Sequence, residues 1–176
     1  MISMEITKMI NDQINAEIWS SYLYLSMSLQ AEAYGYRGVS NWFYVQSLEE
    51  LDHSRILQKY LMAQDERVRL LSVAAVPTDW PTVLDMFREA QQQEQVVTKS
   101  VNNIMLKAQG ENDFATSNTL AWFVDEQVEE ERSCNLLVRK FEQSADSPAS
   151  FMQLDYELQK RRYEPTPYKW KEKECD

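Results

Sequence analysis

Apolar residues recur at three- and four-residue spacing along four long stretches of the chain, which predicts four long helices. The first is expected from about Glu5 to Tyr34, with the stripe Ile6, Ile10, Ile14, Tyr24 and Met27. Ser3 or Thr7 is placed to cap it, and Gly35 and Gly38 to stop it. The second runs from about Ser40, a candidate N-cap, to Gln64, with Phe43, Ile56, Leu57 and Tyr60 on one face. The third runs from about Thr82 to Ala108 with Phe87, Ala90, Val97, Val101 and Ile104. Thr82 and Asp85 stand in capping-box positions, and Gly110 falls just past its end. The fourth runs from Asn112 or Asp113 to Ser144 with Leu120, Phe123, Val124, Cys134, Leu137 and Phe141. Ser147 and Pro148 open a short fifth helix, expected to reach Arg162.

Between the second and third helices, Asp65 to Pro81 breaks the pattern: Val68, Leu70, Leu71, Val73 and Val76 precede Pro77 and Pro81. This reads as an extended connection with apolar contacts. Extended chain covers about 3.3–3.6 Å per residue, a helix about 1.5 Å. The segment can therefore cross the whole length of a bundle and leave the third helix parallel to the second. The resulting fold class is all-α: a four-helix bundle with a long crossover between helices two and three, plus a short fifth helix. It occupies residues 1–162, and a tail over 163–176 is expected to be disordered or packed on the surface.

Acids interrupt the stripes. Glu17 lies one turn after Ile14, and Glu94 one turn after Ala90. Glu50 and His53, the only histidine, fall among Phe43, Ile56 and Leu57; Gln127 and Glu130 fall between Phe123 and Cys134. A carboxylate among aliphatics is costly unless it is paired or meets a metal. These groups also repeat: Glu17 and Glu94 are 77 residues apart, as are Glu50 and Gln127, and His53 and Glu130. Two similar helical hairpins facing each other would bring all six to one level, as a dinuclear metal site requires. Carboxylates with one imidazole suit iron or manganese; affinity alone would favour copper or zinc, so geometry and supply must select. Glu50 is the natural bridge between two ions about 3.5–4 Å apart. Glu17 and His53 would complete one ion and Glu94 and Glu130 the other, with the neutral Gln127 able to hydrogen-bond bound oxygen or water.

Composition narrows the setting. A net charge of −10 repels nucleic acid and attracts cations. No apolar run is long enough to span a membrane, and no basic region followed by an apolar segment opens the chain. Two cysteines, Cys134 and Cys175, make no disulfide framework, which points to the cytoplasm.

This combination resembles the non-haem ferritins of the bacterial type over about residues 1–162. The resemblance implies a ferroxidase centre at Glu17, Glu50, His53, Glu94, Gln127 and Glu130, holding two iron ions per subunit. It implies a third iron position at Glu49, Glu126 and Glu129, and places Tyr24 and Trp122 close to the centre; taken without the family, both aromatics read as packing. It implies a homo-oligomeric shell of 24 subunits that oxidises Fe(II) with dioxygen or hydrogen peroxide and stores a ferric mineral. Iron would enter near the start of the fourth helix, where Glu111 and Asp113 are the local acids. Haem-binding relatives carry a methionine after the bridging glutamate; Leu51 stands there, so no haem is expected. The competing readings are another di-iron carboxylate oxidase or peroxidase on the same bundle, and a non-enzymatic subunit that nucleates mineral.

Overall fold

The computed structural model describes residues 2–165. The expected features at Pro167, Tyr168, Lys169, Trp170 and Cys175 lie outside the described residues. Among the described residues there are five helices: α1 (Met4–Ala33), α2 (Arg37–Ala63), α3 (Val83–Gly110), α4 (Phe114–Ser144) and α5 (Pro148–Leu158). No helix among the described residues is long and apolar enough to cross a membrane.

Two apolar clusters fill the interior. One gathers Tyr24, Met27, Trp42, Phe43, Phe87, Phe141 and Leu154; the other gathers Ile6, Ile10, Ile14, Leu57, Tyr60, Val101, Ile104, Leu120 and Phe123. Followed along the chain, α1 and α4 run from the second cluster to the first, and α2 and α3 run the other way. Thus α3 is parallel to α2, as the crossover length predicts. Between the clusters every long helix passes through one polar layer, which holds Glu17, Glu50, His53, Glu94, Gln127 and Glu130.

The crossover is an extended strand laid on α1 by amide side chains. Asn11 donates to Arg67 O (3.2 Å) and accepts from Arg69 N (2.6 Å); Asn15 donates to Arg69 O (2.9 Å) and accepts from Leu71 N (2.8 Å). Further on, Gln30 takes both backbone groups of Trp80. Four helical residues rise about 6 Å, close to two extended residues, so the two ladders stay in register. Of the apolar residues expected to make contacts, only Val68 and Val76 pack against the clusters. Leu70, Leu71 and Val73 are exposed, within a run from 69 to 75 that lies on the surface of the bundle.

Several boundaries differ from those expected. Ser3, Thr82, Asp113 and Ser147 cap their helices through the side chain. Helix α2 instead begins three residues before Ser40. Its first turn is capped from afar: Asp155 Oδ1 of α5 accepts from Gly38 N and Val39 N, both at 2.9 Å. A carboxylate there also meets the positive end of the helix dipole. Only Gly35, at φ +82°, has the left-handed turn role; Gly38 sits inside α2, where a Cβ would lie 1.6 Å from the Asp155 carbonyl oxygen. Gly110 is the last residue of α3, and the left-handed stop is Asn112 (φ 56°). Helix α5 ends at Leu158 and not at Arg162, since Asn41 Nδ2 draws the carbonyls of Leu158 and Arg161 onto α2 (3.0 and 3.1 Å). Tyr163, assigned to the tail, donates to Asp52 Oδ2 at 2.6 Å.

Gly38→Ala is therefore expected to push α5 off α2. The overlap is with backbone, which cannot rotate away, so the loss should reach about 3 kcal/mol, or roughly 6–12 °C in melting temperature. A thermal melt followed by circular dichroism measures this; an unchanged midpoint would mean that α5 does not seat on α2 as described.

Candidate metal centre

Within the polar layer, Glu17, Glu50 and His53 bring one ligand atom each to within 4.8 Å of one another. They are 0%, 1% and 2% exposed. His53 Nδ1 lies 3.5 Å from Glu50 Oε2. Gln13 Nε2 donates to Glu17 Oε1 at 2.8 Å and fixes that carboxylate one turn along α1. Trp122 and Phe123 of α4 stand edge-on to the imidazole at 5.5 and 5.9 Å, walling it from water.

Opposite, Glu94 is held from three sides. The Tyr24 hydroxyl donates to its Oε1, and Gln127 Nε2 donates to its Oε2 (3.1 Å) and to its backbone carbonyl (3.3 Å). The Gln127 amide is thus engaged with Glu94 and reaches Thr98 Oγ1 at 3.4 Å. Glu130 accepts from Gln46 Nε2 at 2.7 Å. Tyr24 is fully buried and stacks on Phe43 at 6.2 Å, so it belongs to both the core and the site.

Four buried carboxylates in one layer conflict electrostatically. Glu17 is held well above the ordinary carboxylate range by burial first and by the charge of Glu50 next. Glu50 is held well above it by burial, then by Glu94 and Glu130. Glu94 is raised by burial, against the hydrogen bonds from Tyr24 and Gln127, and Glu130 is pushed up to about 8 by burial and by Glu94. Among the described residues, five buried side-chain N or O atoms have no hydrogen-bond partner, and three of them are Glu17 Oε2, Glu50 Oε2 and His53 Nε2. Buried polar atoms are otherwise almost always satisfied. These are the same three residues whose ligand atoms gather within 4.8 Å, and a bound cation would complete them.

Residues 7–144 match the Ferritin-like domain. The chain belongs to the ferritin family. A bacterial non-heme ferritin of Bacteroides fragilis (strain 638R) is 38% identical over 152 residues, 86% of this chain and 96% of that one. An open-pore ferritin from the hyperthermophilic archaeon Archaeoglobus fulgidus superposes with a TM-score of 0.90 at 39% identity, over 92% of this chain and all of that one. A form of that ferritin closed by site-directed mutagenesis gives 0.91 at 39% identity, over 93% of this chain and all of that one.

As a ferritin, the chain shows how its other acids are engaged. Glu49 pairs with Arg161, while Glu126 stands half-buried near His53 and Glu129, whose charges act on it. Near the start of α4, Glu111 pairs with Lys107 (2.9 Å), and Asp113 caps the helix by accepting from Thr116 N (3.0 Å). Gln13, Gln46, Thr98 and Arg161 were not singled out from sequence. Gln13 and Gln46 had a readable signal, each lying four residues before a core glutamate and hence on its face. Arg161 had none.

Proposed function

We propose that the chain is an iron-storage protein with ferroxidase activity. The observation that supports it best is that Glu17, Glu50 and His53, buried and each with a partnerless polar atom, gather ligand atoms within 4.8 Å in a layer shared with Glu94 and Glu130. Glu17, Glu50 and His53 would take one Fe(II) ion, and Glu50, Glu94 and Glu130 the other. Glu50 shares a ligand group with Glu17 and His53 and also feels the charges of Glu94 and Glu130, which supports a bridging role for it. Gln127 and Tyr24 hold Glu94 in orientation and supply hydrogen-bond donors beside it.

The chemistry asked of the protein is modest. Two Fe(II) ions give up one electron each to a single oxidant; with two protons, dioxygen then leaves as hydrogen peroxide, or hydrogen peroxide leaves as two water molecules. Carboxylates are hard, anionic donors and favour the more highly charged product ion. The two apolar clusters exclude water from either side, so those charges act at low screening. Raised carboxylates release protons as the ions bind. Glu49, Glu126 and Glu129 would form a third position beside the pair, and with Leu51 following Glu50 the reading includes no haem.

Assembly into a shell of 24 is part of the same reading, as is a cytoplasmic location. Tyr22 and Leu29 on α1, and Leu70 and Leu71 on the crossover, are 51–65% exposed. They are large apolar side chains that association would cover. Fe(II) added anaerobically and then exposed to air should give ferric absorbance with matching oxygen uptake, on a particle of about 500 kDa by sizing. A small oligomer with no iron-dependent oxygen uptake would overturn the storage reading.

A further inference from the structure

After α5 the chain does not leave the bundle but returns along α2 toward the metal centre. Arg161 lies with its guanidinium over the Trp42 ring, 4.8 Å from the centroid. Its Nη1 donates to Gln46 Oε1 (2.9 Å) and to Trp42 O (3.3 Å), and its Nη2 pairs with Glu49 Oε2. Gln46, fully buried, passes the contact on by donating to Glu130 Oε2 at 2.7 Å. Two residues later Tyr163 anchors the segment on Asp52. The two side chains of the ion pair are only 25% and 20% exposed, so solvent screens it weakly.

Glu49 is the α2 member of the third position read above with Glu126 and Glu129 of α4, and the charges of Arg161 and Glu126 both act on it. Its cation is thus already supplied by the chain. A guanidinium donates through a rigid fork and cannot lose its charge. Any ion approaching Glu49 meets that fixed charge, and finds Oε2 occupied.

We propose that Arg161 controls the third iron position: its guanidinium occupies the place a cation would take at Glu49, and a third ion binds only by displacing it. This rests on the reading above of a dinuclear centre with a third position beside it. Two ions would therefore be held tightly and a third loosely, filled when iron is abundant and emptied first.

The test is anaerobic calorimetry and metal counting with Zn(II), a redox-silent probe, on the assembled apoprotein. Arg161→Met keeps an apolar stem beside Trp42 and removes the charge; Arg161→Gln removes the charge and keeps a polar group, in case the first variant folds poorly. The wild type should take two ions tightly and a third at least tenfold more weakly. Either neutral variant should tighten the third by about tenfold or more without altering the first two. Arg161→Lys should stay near the wild type, and adding Glu49→Gln to the neutral variant should abolish the gain. A third ion that binds no tighter in both neutral variants, or tightens equally without Glu49, overturns the proposal while the dinuclear reading stands. A wild type that takes no pair of ions, or a pair unaffected by Glu50→Ala, overturns the dinuclear reading and this proposal with it.

Discussion

Replacing Glu50 and His53 together by alanine is expected to slow ferric formation by at least about 100-fold. Partners that only orient a metal ligand are typically worth 10- to 100-fold, and these two residues are proposed ligands themselves. Glu50 serves both ions in the proposed arrangement, so its loss removes the connection between two one-electron donors and the shared oxidant. The bundle should survive. Both side chains lie between two apolar clusters that remain intact, and one of four mutually repelling carboxylates is relieved. Stopped-flow absorbance after mixing anaerobic Fe(II)-protein with air, with oxygen uptake recorded in parallel, measures the change. Equal rates in variant and wild type, with the particle size preserved, would mean that oxidation happens elsewhere, on the inner surface or in solution.

The metal-free protein is expected to lose stability as pH rises from about 5 to about 9. Its buried acids have raised values when folded, with Glu130 moved from 4.5 to about 8. An acid raised on folding binds more protons in the folded than in the unfolded state between those values. Its contribution is complete below the unfolded value and is lost as pH climbs through the folded one. Glu17, Glu50 and Glu94 are shifted in the same direction, so they add to the slope. A fall of roughly 5–10 °C in melting temperature between pH 6 and pH 9 is expected. Divalent metal should reverse the slope, because a cation holds the same carboxylates ionised and binds better once their protons are gone. Melts at several pH values, with and without Zn(II), decide this. A flat metal-free profile, or metal that stabilises only at low pH, would contradict the electrostatics described for the layer. Glu130→Gln should flatten the metal-free curve in part.

Most of the architecture was legible because helical periodicity is a local signal. The stripes of Ile6, Ile10 and Ile14, of Phe43, Ile56 and Leu57, and of Val97, Val101 and Ile104 are all buried. Acids that break such stripes at matching levels can be paired across hairpins by counting. That is how Glu17, Glu50, His53, Glu94, Gln127 and Glu130 came to be grouped, and all are found buried in one layer. What could not be read depends on contacts between distant parts of the chain. Asp155 caps α2 from more than a hundred residues away, so the start of α2 looked like Ser40. The same contact gives Gly38 its role. Asn11 and Asn15, polar residues at the edge of the α1 stripe, carry the crossover only once it lies beside them. Arg161 reaches Glu49 because α5 stops early and the chain doubles back, and neither event has a local signature.

The most direct test of the central claim is diffraction from crystals soaked anaerobically in Fe(II), measured on both sides of the iron absorption edge. Two anomalous peaks are expected inside each subunit, between the two apolar clusters. One should be contacted by Glu17, Glu50 and His53, the other by Glu50, Glu94 and Glu130. A bundle interior without iron peaks, with iron only on the surface, would contradict the account.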